Sequence, residues 1–304
     1  MIGGDQKGHS EEYFSDYRDH WWNNDFLELM AIRWGLREYS SLLDVGCGEF
    51  HWSSLLSPHM KSPNVIGIDN DSKWSNNDLS KIRKKFHNVN RLELLFGSAE
   101  SIPFPDNSFD VVTCQTVLIH VADPAGVIRE MKRVTKKGGI VICAEPNNMA
   151  TCLSIDSSAS IHKVSETLES AKICLYEQYG KYLNGEGYNS VGDLVPLFFH
   201  SSGLTNIKTY LSDKCVPLIP PYRTEEQLAT IRSMKRWLET EDANFDSAGI
   251  QARVRKAESV LGDIGLNVAM QTERSKKDTK NDLEQQSLYS PGSAIMYLVS
   301  GVKS

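Results

Sequence analysis

Asp44, Gly46 and Gly48 lie in the run LLDVGCG, and Asp69 closes the run VIGID 23 residues after Gly46; these are the residue types a nucleoside site needs. Glycines let the backbone turn tightly and approach a ligand, and an ionised carboxylate accepts hydrogen bonds from both hydroxyls of a ribose. A second candidate is His120, in TVLIHVADP, an imidazole just past an apolar run and suited to taking a proton from a nucleophile. The elements that position these groups are legible around them. A strand at 41–45 leads into the glycine turn, a helix follows at 49–57, and a second strand at 64–69 ends on the carboxylate. That order of parts is the layout of a nucleoside-binding α/β fold.

Further strands are expected at 91–96, 109–115 and 139–145, with helices at 73–88 and 123–136. Strands that alternate with helices imply right-handed crossovers and a parallel sheet. From Ala150 the texture is less regular. Helical patterns at 160–181 and 190–202 lead to GLTNIKTYLSDKCVPLIPPY, read as a strand ending in prolines. TEEQLATIRSMKRWLETED and the segment up to Leu261 read as helices, and the charged QTERSKKDTKNDLEQQ reads as a mobile loop. SAIMYLVSGV restores a strand at the end. The organisation expected is an N-terminal helical cap over 1–40, a binding core over 41–148, and the rest of the sheet with helical insertions over 149–304, all in one domain.

The chain has 304 residues, 40% hydrophobic and 24% charged, with net charge -6, so its overall field does not draw it to nucleic acid or an anionic membrane. KIRKKFH, Lys81 to His87, is a local basic cluster that reads as a solvated helix face, without an aromatic RNA-binding platform. The six cysteines are scattered without C-x-x-C or zinc spacing and read as buried, reduced thiols, with no metal site. No apolar run is long enough for a membrane span, and the first residues carry no apolar signal core, which makes the cytoplasm the expected location.

Taken together, Leu42 to Glu145 resembles the class I S-adenosylmethionine-dependent methyltransferases, in particular the type 11 small-molecule domain. LLDVGCG, GID, GSAESIPFPDNSFDVVTCQTVLIHVADP and EMKRVTKKGGIVICAEP occur in that order. The resemblance implies a doubly wound, mostly parallel seven-stranded sheet of Rossmann-like α/β type, its last strand at Ala294 to Val302 antiparallel beside the fifth. It also implies S-adenosylmethionine as cofactor and S-adenosylhomocysteine as product. Gly46, Cys47 and Gly48 would then face the methionine portion, Asp44 its amino group, and Asp69 the ribose. Asn70, Ser98, Ala99 and Glu100 would lie around the adenine, and Gln115 between the methionine and the acceptor. Three positions depart from the pattern: Phe50 stands where a third glycine is common, Ser98 where an aspartate is usual, and Asn70 where a less polar residue commonly packs. The D-x-G-x-G turn lacks the G-x-G-x-x-G spacing of nicotinamide dehydrogenases.

The expected reaction is methyl transfer to a small-molecule acceptor held by the inserted helices, whose Tyr, Phe, Leu and Trp content suggests a partly apolar ligand. The alternatives are a methyltransferase acting on protein or RNA, and a non-catalytic cofactor-binding protein. His120 is either a general base or an anchor for its loop. Tyr13, Tyr17 and Trp21 recur at four-residue intervals, which puts them on one helix face as a lid over the cofactor or as plain packing. His51 and Asp110 read as structural, while Glu145 and Asn147 either brace the edge loop or touch substrate.

Overall fold

A computed structural model describes residues 15–71, 74, 79–157, 164–239, 247–292 and 294–304. Its centre is β1 (Ser41–Val45), whose Leu42, Leu43 and Val45 are fully excluded from solvent because both faces of a parallel sheet are covered by helices. Around it stand β2 (Asn64–Asp69), β3 (Arg91–Phe96), β4 (Phe109–Gln115), β5 (Thr135–Pro146), β6 (Thr205–Leu211) and β7 (Met296–Val302). Their order is β3-β2-β1-β4-β5-β7-β6, with β1 to β5 parallel and β7 antiparallel to both β5 and β6. The sheet reverses direction of growth between β1 and β4, so the ends of those strands open a crevice.

Asp110 fixes the opposite end. Its carboxylate accepts from Ser40 N, Ser41 N and Ser41 Oγ and pairs with Lys136 at 2.7 Å, tying the starts of β1, β4 and β5 together. Burial opposes its ionisation, but the hydrogen bonds from Lys136 and Ser41 outweigh that and hold its pKa below the usual value. On one face of the sheet lie α1 (Asn24–Trp34) and α2 (His51–Leu56); on the other lies α4 (Pro124–Val134), capped by Asp123, which accepts from Gly126 N at 2.8 Å. Between them in sequence, α3 (Leu79–Arg83) buries Ile82 while Lys81, Arg83, Lys84 and Lys85 remain exposed, the solvated face expected of the basic cluster.

After β5 come α5 (Asn148–Cys152), α6 (Val164–Leu183) and α7 (Val195–Ser201), and between β6 and β7 come α8 (Glu225–Glu239), α9 (Ser247–Leu261) and α10 (Val268–Glu284). The segment expected as a mobile loop is therefore helical. Asn267 caps it by accepting from Met270 N, Val268 and Leu283 bury at its two ends, and Gln271 donates to Glu169 of α6. Its charges occupy the solvated face of an amphipathic helix, which composition alone does not distinguish from a loop. The sixth strand ends at Leu211, before the prolines, and Pro217 to Tyr222 run as a loop.

Two other expectations are corrected. The aromatic N-terminal stretch is not one continuous helix: a 3-10 turn over Ser15–His20 breaks before α1, so Tyr17 and Trp21 meet edge to face instead of stacking along a helix, and Tyr13 lies outside the described residues. Of the expected helix at 73–88, Trp74 and residues 79–88 are described, and the helix ends at Arg83, with 84–88 in turn and loop. Among the cysteines, Cys47, Cys114 and Cys143 are buried, whereas Cys152 and Cys174 are half-buried and Cys215 is exposed, because the last three lie outside the sheet.

Phe50 resolves its departure from the glycine pattern by facing inward. It adopts a left-handed backbone (φ 61°), is fully buried, and packs edge to face on Phe86 with ring centroids 5.9 Å apart. Its ring and the Cys47 thiol occupy the space above Gly67, where a Cβ would stand 2.5 Å and 2.4 Å from them. Gly67→Ala is therefore expected to lower stability by about 1–3 kcal/mol through overpacking, read from the urea midpoint. A variant with the wild-type midpoint would show that the ring and thiol have room to move.

Candidate active site

The turn after β1 closes over the end of β2. Gly46 N and Cys47 N both donate to Ile68 O, at 2.8 and 3.1 Å. Gly46 has φ +66°, and Val117 packs so closely on it that an added Cβ would come within 2.5 Å of the valine methyl. Both constraints require glycine. Asp44 lies beneath the turn and accepts from Ser53 N at 3.3 Å, bracing the first turn of α2. Asp69 faces the turn from β2: its Oδ2 accepts from Gly48 N at 2.9 Å and its Oδ1 from Asp71 N at 3.0 Å. The Asn70 N–H also interacts with this carboxylate, whose roughly four acceptor positions are not all taken. Burial raises the Asp69 pKa, and the N–H bonds from Asp71 and Gly48 pull against that rise.

These groups open onto a cleft of about 2320 Å³ between the carboxyl ends of the strands and the helices α6 and α8 to α10. Gly46, Gly48, Asp69, Asn70, Ser98, Ala99, Glu100, Gln115 and His120 all line it. Ser98 Oγ accepts from Glu100 N at 3.2 Å, so the hydroxyl that stands in place of an aspartate shapes its own turn. Gln115 is more than nine-tenths buried, and its amide nitrogen has no partner. Tyr17 and Trp21 line the same cleft, with the Arg18 guanidinium 5.3 Å from the Trp21 ring. Asp44 and Cys47 are not on its wall; the Cys47 sulfur points into the core toward Gly67.

Beneath His120 is a buried carboxylate. Glu145, at the end of β5, accepts from Val117 N at 2.9 Å and Leu118 N at 3.0 Å through one oxygen, and its other oxygen has no partner. It holds the short 3-10 turn Leu118–His120 and, through Val117, presses that turn onto Gly46. Full burial raises its pKa to about 7 against the pull of the Leu118 and Val117 N–H groups. Asn147 caps α5, accepting from Ala150 N at 3.1 Å, and its amide donates to Asp193. His51 is buried, and burial together with the nearby Arg18 and Lys85 charges lowers its pKa to about 3. Its 3.7 Å approach to Asp19 is accordingly that of a neutral ring, not an ion pair. It is packed beneath the turn.

Residues 43–143 match the family described as "Methyltransferase domain". The core of the chain is similar to methyltransferase domains. Its relatives include a demethylmenaquinone methyltransferase of Lysinibacillus sphaericus, 39% identical over 125 residues that cover 41% of this chain and 50% of that one. An uncharacterized methyltransferase of Schizosaccharomyces pombe is 33% identical over 122 residues, covering 39% and 44% of the two chains. The match thus spans about half the length of these relatives or less. Among solved structures, the YcgJ protein from Bacillus subtilis superposes with a TM-score of 0.49 at 18% identity, over 92% of this chain and 99% of that one.

The methyltransferase core supplies one wall of the cleft, and the cap supplies the other from residues without a family motif. Lys181 of α6 is buried, and its ammonium donates to Ile119 O at 3.2 Å and to Asn189 Oδ1 at 2.5 Å; burial pushes its pKa down to about 8. Arg253 of α9 pairs with Glu177 and Glu186 at 3.2 and 2.8 Å. Farther from the sheet, Met234, Trp237 and Leu238 of α8 give the cleft an apolar stretch. Sequence reasoning missed Lys181, Glu177, Gln178 and Arg253, as well as Thr116 and Val117. The available signal was a lysine between aromatics, YGKYL, on an otherwise amphipathic helix. Among the described residues no helix is long and apolar enough to cross a membrane, and no group of three His, Cys, Asp or Glu side chains could hold a metal ion.

Glu145 yields a pH test. Its folded pKa of about 7 lies above the ordinary 4.5, so its contribution to stability is fully present below about 4.5 and lost as pH rises through 7. Glu145→Gln keeps the oxygen that accepts the two N–H groups and removes the titration. The stability of wild type relative to Glu145→Gln should fall by up to about 3 kcal/mol between pH 4.5 and 8, measured by urea unfolding. A difference independent of pH would contradict the raised pKa.

Proposed function

We propose that the protein transfers a methyl group from S-adenosylmethionine to a small-molecule acceptor held between the sheet edge and the cap. The observation that carries this reading is the facing pair of the Gly46–Gly48 turn and the Asp69 carboxylate on the wall of a cleft bounded by cap helices. The groups present suit the cofactor. Asp69 has acceptor positions to spare for ribose hydroxyls, the Gln115 amide nitrogen is an unpartnered donor on the cleft wall, and the turn leaves backbone exposed where a methionine portion would lie. Bound S-adenosylmethionine supplies a methyl already activated on a sulfonium, so alignment and exclusion of water are what the protein has to add.

The alignment comes from the cap and the edge turn together. His120 stands on the cleft beside the acceptor side, on a turn pinned by Glu145 from below and by Lys181 from the cap. A phenol or alcohol acceptor must lose a proton as it attacks, and His120 is the group positioned to take it; an amine attacking through its lone pair passes its proton on afterwards. The mixed lining, charged near Lys181 and apolar near Trp237, suits an acceptor with one polar and one apolar end. A cap over the strand edge weighs against a protein or RNA acceptor, which needs an open face.

Calorimetric titration with S-adenosylhomocysteine, with NADH as control, tests the cofactor. Saturable binding of the homocysteine compound alone is expected, and Asp69→Ala should weaken it about ten- to hundredfold, on the order of 1.5–3 kcal/mol. Unchanged affinity in a folded Asp69→Ala protein would remove the carboxylate from the cofactor site. For the chemistry, S-adenosylhomocysteine release is followed across a panel of phenols, alcohols, amines and thiols. Loss of turnover in His120→Ala with intact cofactor binding is the result expected of a base, and unaltered turnover would leave His120 an anchor of its loop.

A further inference from the structure

The cleft wall contains a pair of thiols that methyl transfer does not use. Cys152 is the last residue of α5 and Cys174 lies in the middle of α6; their sulfurs are 2.7 Å apart, both line the cleft, and both are half-buried. Their surroundings hold them in that relation. Gln178 donates through Nε2 to the Cys174 sulfur at 3.4 Å, Ser190 Oγ donates to Gln178 Oε1 at 2.8 Å, and Met149 N donates to Ser190 Oγ at 2.9 Å, which links α5 and α6 on the same side as the thiols. The two elements differ in freedom: α6 has twenty residues, whereas α5 has five, none of them buried.

We propose that Cys152 and Cys174 form a reversible dithiol–disulfide site in the cleft wall, oxidised by low-molecular-weight disulfides that enter the cleft. The Cys152 thiolate attacks one sulfur of the disulfide, forming a mixed disulfide and releasing one thiolate. Cys174, its proton lost to solvent, then attacks the Cys152 sulfur and releases the second thiolate. Two protein thiols are oxidised to one disulfide, the small disulfide is reduced to two thiols, and the two cysteine protons end on them. Cys152 is the first nucleophile because the hydrogen bond from the Cys174 thiol lowers its pKa while that of Cys174 is raised. A disulfide needs about 2.05 Å between sulfurs, so a small displacement of the short α5 is enough.

Burial separates this pair from the other cysteines. Cys114 and Cys143 face each other across β4 and β5 at 3.5 Å, but both are fully buried and out of reach of a dissolved oxidant. Cys215 is exposed and serves as an internal reporter that the oxidant has acted. The bond would tie α5, which follows directly from the catalytic edge, to α6, which carries Lys181 against the His120 turn. That consequence for the acceptor side rests on the methyl-transfer reading; the thiol chemistry does not.

The full chain is equilibrated in a series of oxidised to reduced glutathione ratios, trapped with iodoacetamide under denaturing conditions and digested with trypsin. Cleavage after Lys137, Lys163, Lys172 and Lys181 puts Cys152 in peptide 138–163, together with Cys143, and Cys174 in peptide 173–181, so fragmentation of the peptides assigns each modification to its cysteine. The expected result is a cross-link between these two peptides, reversed by dithiothreitol, with Cys114 and Cys143 alkylated throughout. Cys174→Ser should instead accumulate one glutathione on Cys152. Glutathione on Cys215 without the cross-link, or with single adducts on Cys152 in wild type, would overturn the proposal. Because the readout is a covalent mass, it stands whether or not S-adenosylhomocysteine binds.

Discussion

A single buried carboxylate organises the catalytic edge. Glu145 spends one oxygen on two successive backbone N–H groups, Val117 and Leu118, and those two contacts decide where the following residues lie. Val117 lands on Gly46, so the turn after β4 and the turn after β1 are packed against each other. Ile119 presents its carbonyl to Lys181, and His120 emerges at the cleft. Without an acceptor at that position the two N–H groups would be buried and unpaired, at a cost of roughly 1–3 kcal/mol each. Retaining a group whose ionisation is disfavoured by burial is understandable in these terms: the geometry it imposes requires an acceptor oxygen, and a hydrocarbon of the same size provides none.

The cofactor side follows a different logic, in which backbone does most of the work. Gly46, Gly48 and the Ile68 carbonyl define a surface of peptide groups, and Asp69 contributes a carboxylate that faces them. That carboxylate is held by Gly48 N and Asp71 N, which keeps it oriented into the cleft instead of free to rotate. On the proposed reading the result is preorganisation: a ribose would find its acceptors already in place and would not have to order them.

This difference explains what was legible in the sequence. Strands β1, β2, β4 and β5 could be placed because a buried parallel strand is a nearly continuous apolar run, whereas β3 is an edge strand placed by its short run of leucines. The glycine turn was legible because its conformation tolerates few residues. Asp110 was read as structural from its place at a strand start, where it ties three strands together, and His51, read the same way after the turn, is buried. Phe50 was ambiguous, since a ring at a left-handed position can turn either way; only Gly67, across the turn, shows why it turns inward. The α10 helix was not legible because its amphipathicity is weak and its anchors, Val268 and Leu283, are fifteen residues apart. Lys181 and Arg253 were beyond reach for another reason: they meet the site through contacts between helices far apart in the chain, which no local pattern encodes.

The same contrast bears on where specificity resides. A turn that approaches a ligand through its backbone admits few sequences, whereas helices that pack on a sheet accept many, provided volume and pattern are kept. The cap is therefore the part of the molecule in which side chains can vary without cost to the proposed cofactor site, and it is also the part that lines the side of the cleft proposed for the acceptor. Lys181 shows how the two are nevertheless coupled. Its ammonium is held by a backbone carbonyl of the methyltransferase core, and burial has already lowered its pKa to about 8. Moving α6 would break that contact and leave both the ammonium and the carbonyl short of a partner, so the position of the cap and the order of the His120 turn are held by the same hydrogen bond.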